Sequence, residues 1–250
     1  YNPVHLEAEV AQAAGFRGVV VHGMCVLGAV ARAAALSAEG KVLRKLDVRF
    51  AGPVFPGQNV VMEPNPKELP DGMTRVQMKV SVPDETPSLM APASFVFGAP
   101  DGSDVPEFPG ALLARVHQES RDDDVVAEEF TFGDPAVADY LALTTGEGVG
   151  AGDEPPMLMG TLGLTDALWF AFSGEKPEEP GNWVHLRQSG IFVRPIRTGV
   201  SYRCRVQAGL TSVIRSKQGA MVTIPFVVQE SAAGVLVQAG TVTLLYVLEG

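Results

Sequence analysis

Two residue triplets in this chain share one spacing: Phe50, Pro53 and Gly57, then Phe192, Pro195 and Gly199. Such self-similarity marks a structural unit used twice. Gly23 and Leu27, upstream of the first triplet, are matched by Gly160 and Leu164 upstream of the second. The second copy has a slightly longer gap between helix and proline, which a loop absorbs. Two copies of one unit constrain the fold more than any composition value, because every element of the unit must appear twice and the copies must pack together.

The unit reads as α+β. Glu7–Ala14 is expected to be a short helix stopped by Gly15, and Gly23–Ala38 a longer one stopped by Gly40. Small apolar residues cover nearly all of the longer helix, so it should be buried on most sides. Strands are expected at Val42–Phe50, Gln58–Glu63, Thr74–Val82 and Leu89–Phe97, separated by Pro and Gly clusters. Residues 99–128 read as a linker with an acidic run at Asp122–Asp124 and a short helix near Ala111–His117. The second copy, 129–250, has a strand at Glu129–Phe132, a helix at Asp134–Leu143 capped by Asp134, and a long helix at Gly160–Phe172. Its further strands are expected at Val184–Val193, Ser201–Ser212, Ala220–Gln229 and Val235–Val247. The first copy, 1–98, shows no counterpart of the leading strand and helix, so the chain is expected to begin inside its first unit.

Composition narrows the function classes. The 250 residues are 46% apolar and 19% charged, enough for a substantial core. The net charge of −10 argues against a general nucleic-acid binder or a binder of anionic membranes. The apolar runs are interrupted and too short for a clean membrane span. Cys25 and Cys204 sit in apolar surroundings and read as buried free thiols, with a reducing compartment as the weak corollary. The last residues, Leu248-Glu249-Gly250, carry no peroxisomal or retention tripeptide. A cytoplasmic location is expected, or a peroxisomal one in a eukaryote.

The chemistry-bearing residues stand at the start: Asn2-Pro3-Val4-His5-Leu6, then Ala14-Gly15-Phe16, then His22-Gly23-Met24 opening the long helix. A histidine after a rigid Asn-Pro bend, with a His-Gly pair downstream, reads as half of an acid/base site. This run resembles the MaoC-like, R-specific enoyl-CoA hydratase (hydratase 2) family, whose motif reads Gly-Asp-x-Asn-Pro-x-His. The chain matches the last five positions; the motif's Gly and Asp would fall just ahead of Tyr1. The resemblance covers Tyr1 to Gly57 well and the strands to Phe97 less closely. In the second half it rests on Gly160, Phe192, Pro195 and Gly199. It implies two tandem hotdog units, each an antiparallel sheet wrapped around a central helix, joined as a pseudo-dimeric double hotdog. The second copy has Met159-Gly160 where the first has His22-Gly23, and no Asn-Pro-x-His. It is expected to be a degenerate unit that enlarges an acyl pocket.

Hydrating a trans-2-enoyl thioester requires a group to deprotonate water attacking C3, a proton for C2 and a donor for the thioester oxygen. The resemblance implies that His5 is half of the water-activating pair, with the motif's Asp as its partner. Asn2 would hold the water or the thioester region. Gly23 would offer its N–H at the helix N-terminus. His22 would shape the turn rather than react. The bland readings stand beside these. Outside the motif His5 would brace a turn, Asn2 and Pro3 are ordinary turn and first-turn residues, and Gly23 equally serves close packing. His117 and His185 read as structural.

Arg187, Arg194, Arg197, Arg203 and Arg205 crowd the second copy and suit either phosphate contacts or, more in keeping with the many acids, ion pairs. Met24, Met157 and Met159 suit an acyl tunnel or plain core filling. No cofactor is expected beyond the coenzyme A or phosphopantetheine carried by the substrate, and no metal. The expected partner is an acyl-CoA or acyl-carrier-protein thioester. The pairing of units is expected within the chain; nothing in the sequence asks for a homodimer beyond that, and nothing forbids one. Two alternatives remain. A hotdog thioesterase would need a carboxylate near the central helix, where Gly23–Ala38 carries none and Asp166 is the in-helix candidate of the second copy. A non-catalytic acyl-binding or subunit-supporting hotdog needs neither.

Overall fold

The computed structural model describes residues 3–83, 85, 88–102, 124–126, 129–133, 139, 181–207, 211–216 and 219–248. The first unit begins with a single 3-10 turn at Pro3–His5 and the short helix α1 (Ala8–Ala13). The long helix α2 (Gly23–Leu36) follows, then strands β1 (Val42–Phe50), β2 (Val61–Glu68), β3 (Thr74–Ser81) and β4 (Met90–Gly98). After these come β5 (Asp124–Val126), β6 (Phe130–Thr131), β7 (Gly181–Phe192) and β8 (Ser201–Gln207). The last three are β9 (Ser212–Ser216), β10 (Gly219–Glu230) and β11 (Leu236–Leu248).

All strands join one antiparallel sheet in the order β2-β3-β4-β1-β7-β11-β10-β8-β5. Four strands of each unit stand in mirrored order about the β1–β7 seam. The interval that separates Phe50 from Phe192 also separates Asp47 from Ser189, and these two residues face each other across the seam. The pseudo-twofold axis therefore passes through the Asp47–Ser189 pair. The seam is laced from both sides. Arg187 of β7 donates two bonds to Asp47 of β1, at 2.8 and 2.6 Å. The fully buried Arg44 donates from β1 to the Val193 carbonyl, just past β7, at 3.2 Å and to the Ala99 carbonyl.

α2 packs against all four strands of its unit. Leu27, Val30 and Ala34 are fully buried at helical spacing and meet Leu46 and Val48 of β1, Val76 and Val80 of β3 and Phe95 of β4. β3 alternates buried and exposed residues with period two, as a strand with one covered face must. The second core gathers Ile196, Tyr202, Val206, Ile224, Phe226 and Val242. This is the α+β double-hotdog architecture that the resemblance implies. The expected helices Gly160–Phe172 and Ala111–His117 lie outside the described residues, as does Asp134–Leu143 apart from Asp139.

Three local expectations change. The strand expected at Gln58–Glu63 runs instead over Val61–Glu68, through Pro64 and Pro66. β2 ends the sheet order, and alternate prolines place both missing N–H groups on one side of the strand. Facing outward, they cost no ladder bond and discourage further pairing. The strand expected at Ser201–Ser212 is two strands. β8 pairs with Phe226–Glu230 of β10 and β9 pairs with Gly219–Thr223, so one long strand carries two short ones end to end. Finally, β5 falls within the stretch read as linker and pairs with β8, beside β6.

Candidate active site

The site grows from two short segments held side by side. Pro3 starts the 3-10 turn, its carbonyl accepting from the N–H groups of Leu6 and Glu7 at 2.9 and 2.8 Å. The N–H of Val20 donates to the Val4 carbonyl at 3.2 Å, and that of Val21 to the Val54 carbonyl at 2.7 Å. This pairing delivers the Val20 carbonyl to His5, whose Nδ1 lies 2.9 Å from it. A carbonyl only accepts, so Nδ1 carries the hydrogen. In the neutral ring Nε2 is then a lone-pair acceptor, the form a general base requires.

His22 caps α2. Its Nδ1 accepts from the Met24 N–H at 3.2 Å, so the proton of its neutral form sits on Nε2. Its ring lies 4.6 Å from that of His5, tilted by 50°. His22 keeps an exposed face, yet burial is the first cause that lowers its pKa, followed by His5. A lowered pKa suits the cap, because a doubly protonated ring cannot accept.

At the start of α2 the N–H groups of Met24, Cys25 and Val26 are all taken by His22. The Gly23 N–H has no partner among the described residues. A helix N-terminus concentrates partial positive charge, so a free amide there suits a developing oxyanion. A Cβ at Gly23 would lie 3.3 Å from Cε1 of Phe50. The glycine is thus the surface on which the Phe50 ring rests.

Phe50 leads to His185, which reads as structural in the sequence alone. The Phe50 ring lies 4.8 Å from that of His185, on β7 of the other unit. The Nε2 of His185 donates to the Arg187 carbonyl at 3.2 Å. Burial pushes its pKa down to about 4, with the charge of His22 a lesser cause. Three of the chain's four histidines therefore gather around the N-terminus of α2, one of them across the seam. Only the β1–β7 pairing brings His185 there, so no local motif signals it.

The other sequence candidates fare variously. Asn2, His117, Met157, Met159 and Asp166 lie outside the described residues. Met24 packs against the first core. Arg187, Arg197 and Arg203 form ion pairs with Asp47, Glu230 and Glu129, so these three serve the sheet surface. Cys25 is partly buried and Cys204 buried; both are free, and burial raises both thiols, Cys204 to about 12. Among the described residues no group of His, Cys, Asp and Glu is arranged to hold a metal ion, and no helix is long and apolar enough to cross a membrane.

Residues 1–86 match the model of the MaoC like domain family. Over 63 residues the chain is 41% identical to the peroxisomal hydratase-dehydrogenase-epimerase of Neurospora crassa, covering 25% of this chain and 7% of that protein. Over 66 residues it is 33% identical to the peroxisomal enoyl-CoA hydratase 2 of Arabidopsis thaliana, covering 25% of this chain and 21% of that protein. The matched segment thus spans less than a quarter of either relative. A Mycobacterium tuberculosis protein described as having a double hotdog fold superposes with a TM-score of 0.62 at 14% identity, over 97% of this chain and 87% of that one. The 12:0-ACP thioesterase of Umbellularia californica superposes at 0.53 with 10% identity, over 82% and 73%. Likeness at such low identity establishes fold alone. Residues 1–86 are similar to the MaoC like domain family, and the chain has the double hotdog fold.

Proposed function

We propose that this protein adds water to trans-2-enoyl thioesters to give (R)-3-hydroxyacyl thioesters, and catalyses the reverse dehydration. The observation that carries the reading is one convergence: the acceptor Nε2 of His5 and the N–H of Gly23, unpartnered among the described residues, at the mouth of α2. In this reading His5 takes a proton from water as its oxygen bonds to C3. The C2–C3 π electrons move toward the thioester carbonyl, whose oxygen is held by the Gly23 N–H. A proton then reaches C2, which restores the thioester. The family motif supplies that proton from an Asp two residues before the Asn, with Asn2 orienting the water. Coenzyme A or a carrier's phosphopantetheine arrives with the substrate, and the chain adds no cofactor of its own. The second unit supplies His185 and walls the acyl chain.

The test is loss of absorbance of the conjugated thioester when the protein meets crotonyl-CoA, with chiral analysis of the product. An (R)-3-hydroxy product is expected, and turnover should fall steeply in His5→Ala. Release of free thiol instead would indicate thioester hydrolysis, for which α2 offers no carboxylate. Full activity in His5→Ala would overturn the assignment. Placing Gly-Asp directly ahead of Tyr1 is expected to raise the rate; an equal rate would remove that carboxylate from the mechanism.

A further inference from the structure

The floor of the sheet holds two buried amides with unmet hydrogen-bonding capacity. Gln188 of β7 is 1% exposed and Gln238 of β11 is 0% exposed. The Nε2 of Gln188 and both polar atoms of the Gln238 side chain have no hydrogen-bond partner among the described residues. Unpaired buried amides are costly, and an apolar side chain would pack there at lower cost.

Register places both on the face that α2 covers. Gln188 stands opposite Val48 on one side and Val242 on the other, and Gln238 stands opposite Phe192. Directly paired residues share a face. Val48 and Phe192 belong to the core under α2, and Val242 to the second core. Between the two amides Gly190 and Gly240 face each other, so the strip there has no side chain of its own and is flanked by the Phe226 ring and the Gln238 amide. A β-bulge beyond Gln188 returns His185 to this face, opposite Leu244. One strip therefore runs from the histidine cluster: His185, Gln188, the glycine pair, then Gln238. Each amide lies about 7 Å along the strands from the glycines.

We propose that this strip is a polar acyl subsite that selects thioesters whose acyl chain carries a hydroxyl or keto oxygen several carbons from the thioester. The proposal rests on the reading of the site as one for enoyl thioesters. An acyl chain running from the Gly23 amide along this strip passes the glycine pair beside the Phe226 ring and meets an amide on either side. Gln188 offers a donor and Gln238 both a donor and an acceptor, so either kind of oxygen satisfies the pair. A site built to bond an oxygen discriminates strongly against a chain that lacks it.

Calorimetry with decanoyl-CoA and a series of monohydroxydecanoyl-CoA isomers tests this without turnover. The best isomer is expected to bind about ten-fold more tightly than decanoyl-CoA, the effect of one well-placed bond in a buried site. Gln188→Met and Gln238→Met together should erase the difference. Equal affinities in the wild type, or a preference that the double variant keeps, would overturn the proposal. Replacing an unpaired amide by an apolar side chain should raise Tm, so a melting curve excludes unfolding as the cause. If the variant does not fold, the wild-type series decides alone. Hydroxyl-selective binding without hydration of trans-2-decenoyl-CoA would refute the hydratase reading and leave the subsite standing. Hydration without hydroxyl selectivity would do the reverse, and no binding at all would remove both.

Discussion

The Nδ1 of His5 lies 2.9 Å from the carbonyl oxygen of Val20, and the N–H of Val20 in turn holds the carbonyl of Val4. This reciprocal bracket fixes the tautomer of His5 and separates its structural bond, on Nδ1, from Nε2, the atom that the proposed mechanism uses as base. The two roles are therefore separable by mutation. In His5→Asn the side-chain amide keeps a donor near the Nδ1 position but supplies no base. Hydration is expected to fall by about 10²–10⁴ in both His5→Asn and His5→Ala. Stability should fall in the alanine variant only, by about 1 kcal/mol for the lost bond. Crotonyl-CoA turnover alongside urea unfolding measures both. Retained activity in His5→Asn would make the histidine a brace and nothing more.

His185 predicts an acid sensitivity. Its pKa is lowered from 6.5 to about 4 in the folded chain, mainly by burial. Between those values the unfolded chain binds more protons, so stability is full above about pH 6.5 and is lost as pH falls toward 4. The contribution lost by pH 5 is about 2 kcal/mol. His22, also lowered, acts in the same direction. Urea unfolding at pH 7 and pH 5 should show the loss in the wild type and a smaller one in His185→Phe. Equal losses in the two chains would mean that His185 does not titrate as its burial requires.

Much of the architecture was legible because it is written twice. The triplet at Phe50 and its copy at Phe192 implied paired units, and the same interval carries Asp47 to Ser189, its partner across the seam. β1 was readable because its burial is one-sided. β2 was read short because proline argues against a strand interior, and only its place at the sheet edge removes that objection. In the site, His5 and Gly23 lie within a local motif. His185 reaches them through strand pairing between distant segments, which no short window of sequence encodes.

Gly23 separates packing from chemistry. A methyl group there would sit 3.3 Å from the Phe50 ring, which must give by a few tenths of an ångström. Alanine also favours the helix by up to about 1 kcal/mol. Gly23→Ala should thus change stability by no more than about 1 kcal/mol, the two effects opposing each other. If the Gly23 N–H receives the thioester oxygen, the displaced ring should still lower kcat/KM about ten-fold, because catalysis depends on donor placement at the ångström scale. Turnover equal to wild type in a well-folded Gly23→Ala would make this glycine a packing residue alone.

Gly240 and Gly190 stand opposite each other, yet their tolerance should differ. A Cβ at Gly240 would run into the carbonyl oxygen of Ser189 and lie 2.9 Å from Cα of Gly190. Both obstacles are backbone, locked into the β7–β11 ladder, and neither can swing aside. A Cβ at Gly190 meets the Ala239 carbonyl at 3.4 Å and Nε2 of Gln238 at 3.8 Å, which are ordinary contacts. Gly240→Ala is expected to lose about 3 kcal/mol and Gly190→Ala about 1 kcal/mol or less. Denaturant unfolding of the two variants measures the difference directly. Wild-type stability in Gly240→Ala would mean that β7 and β11 stand farther apart than the Gly190–Gly240 contact requires, and the strip between the two amides would have to be redrawn with them.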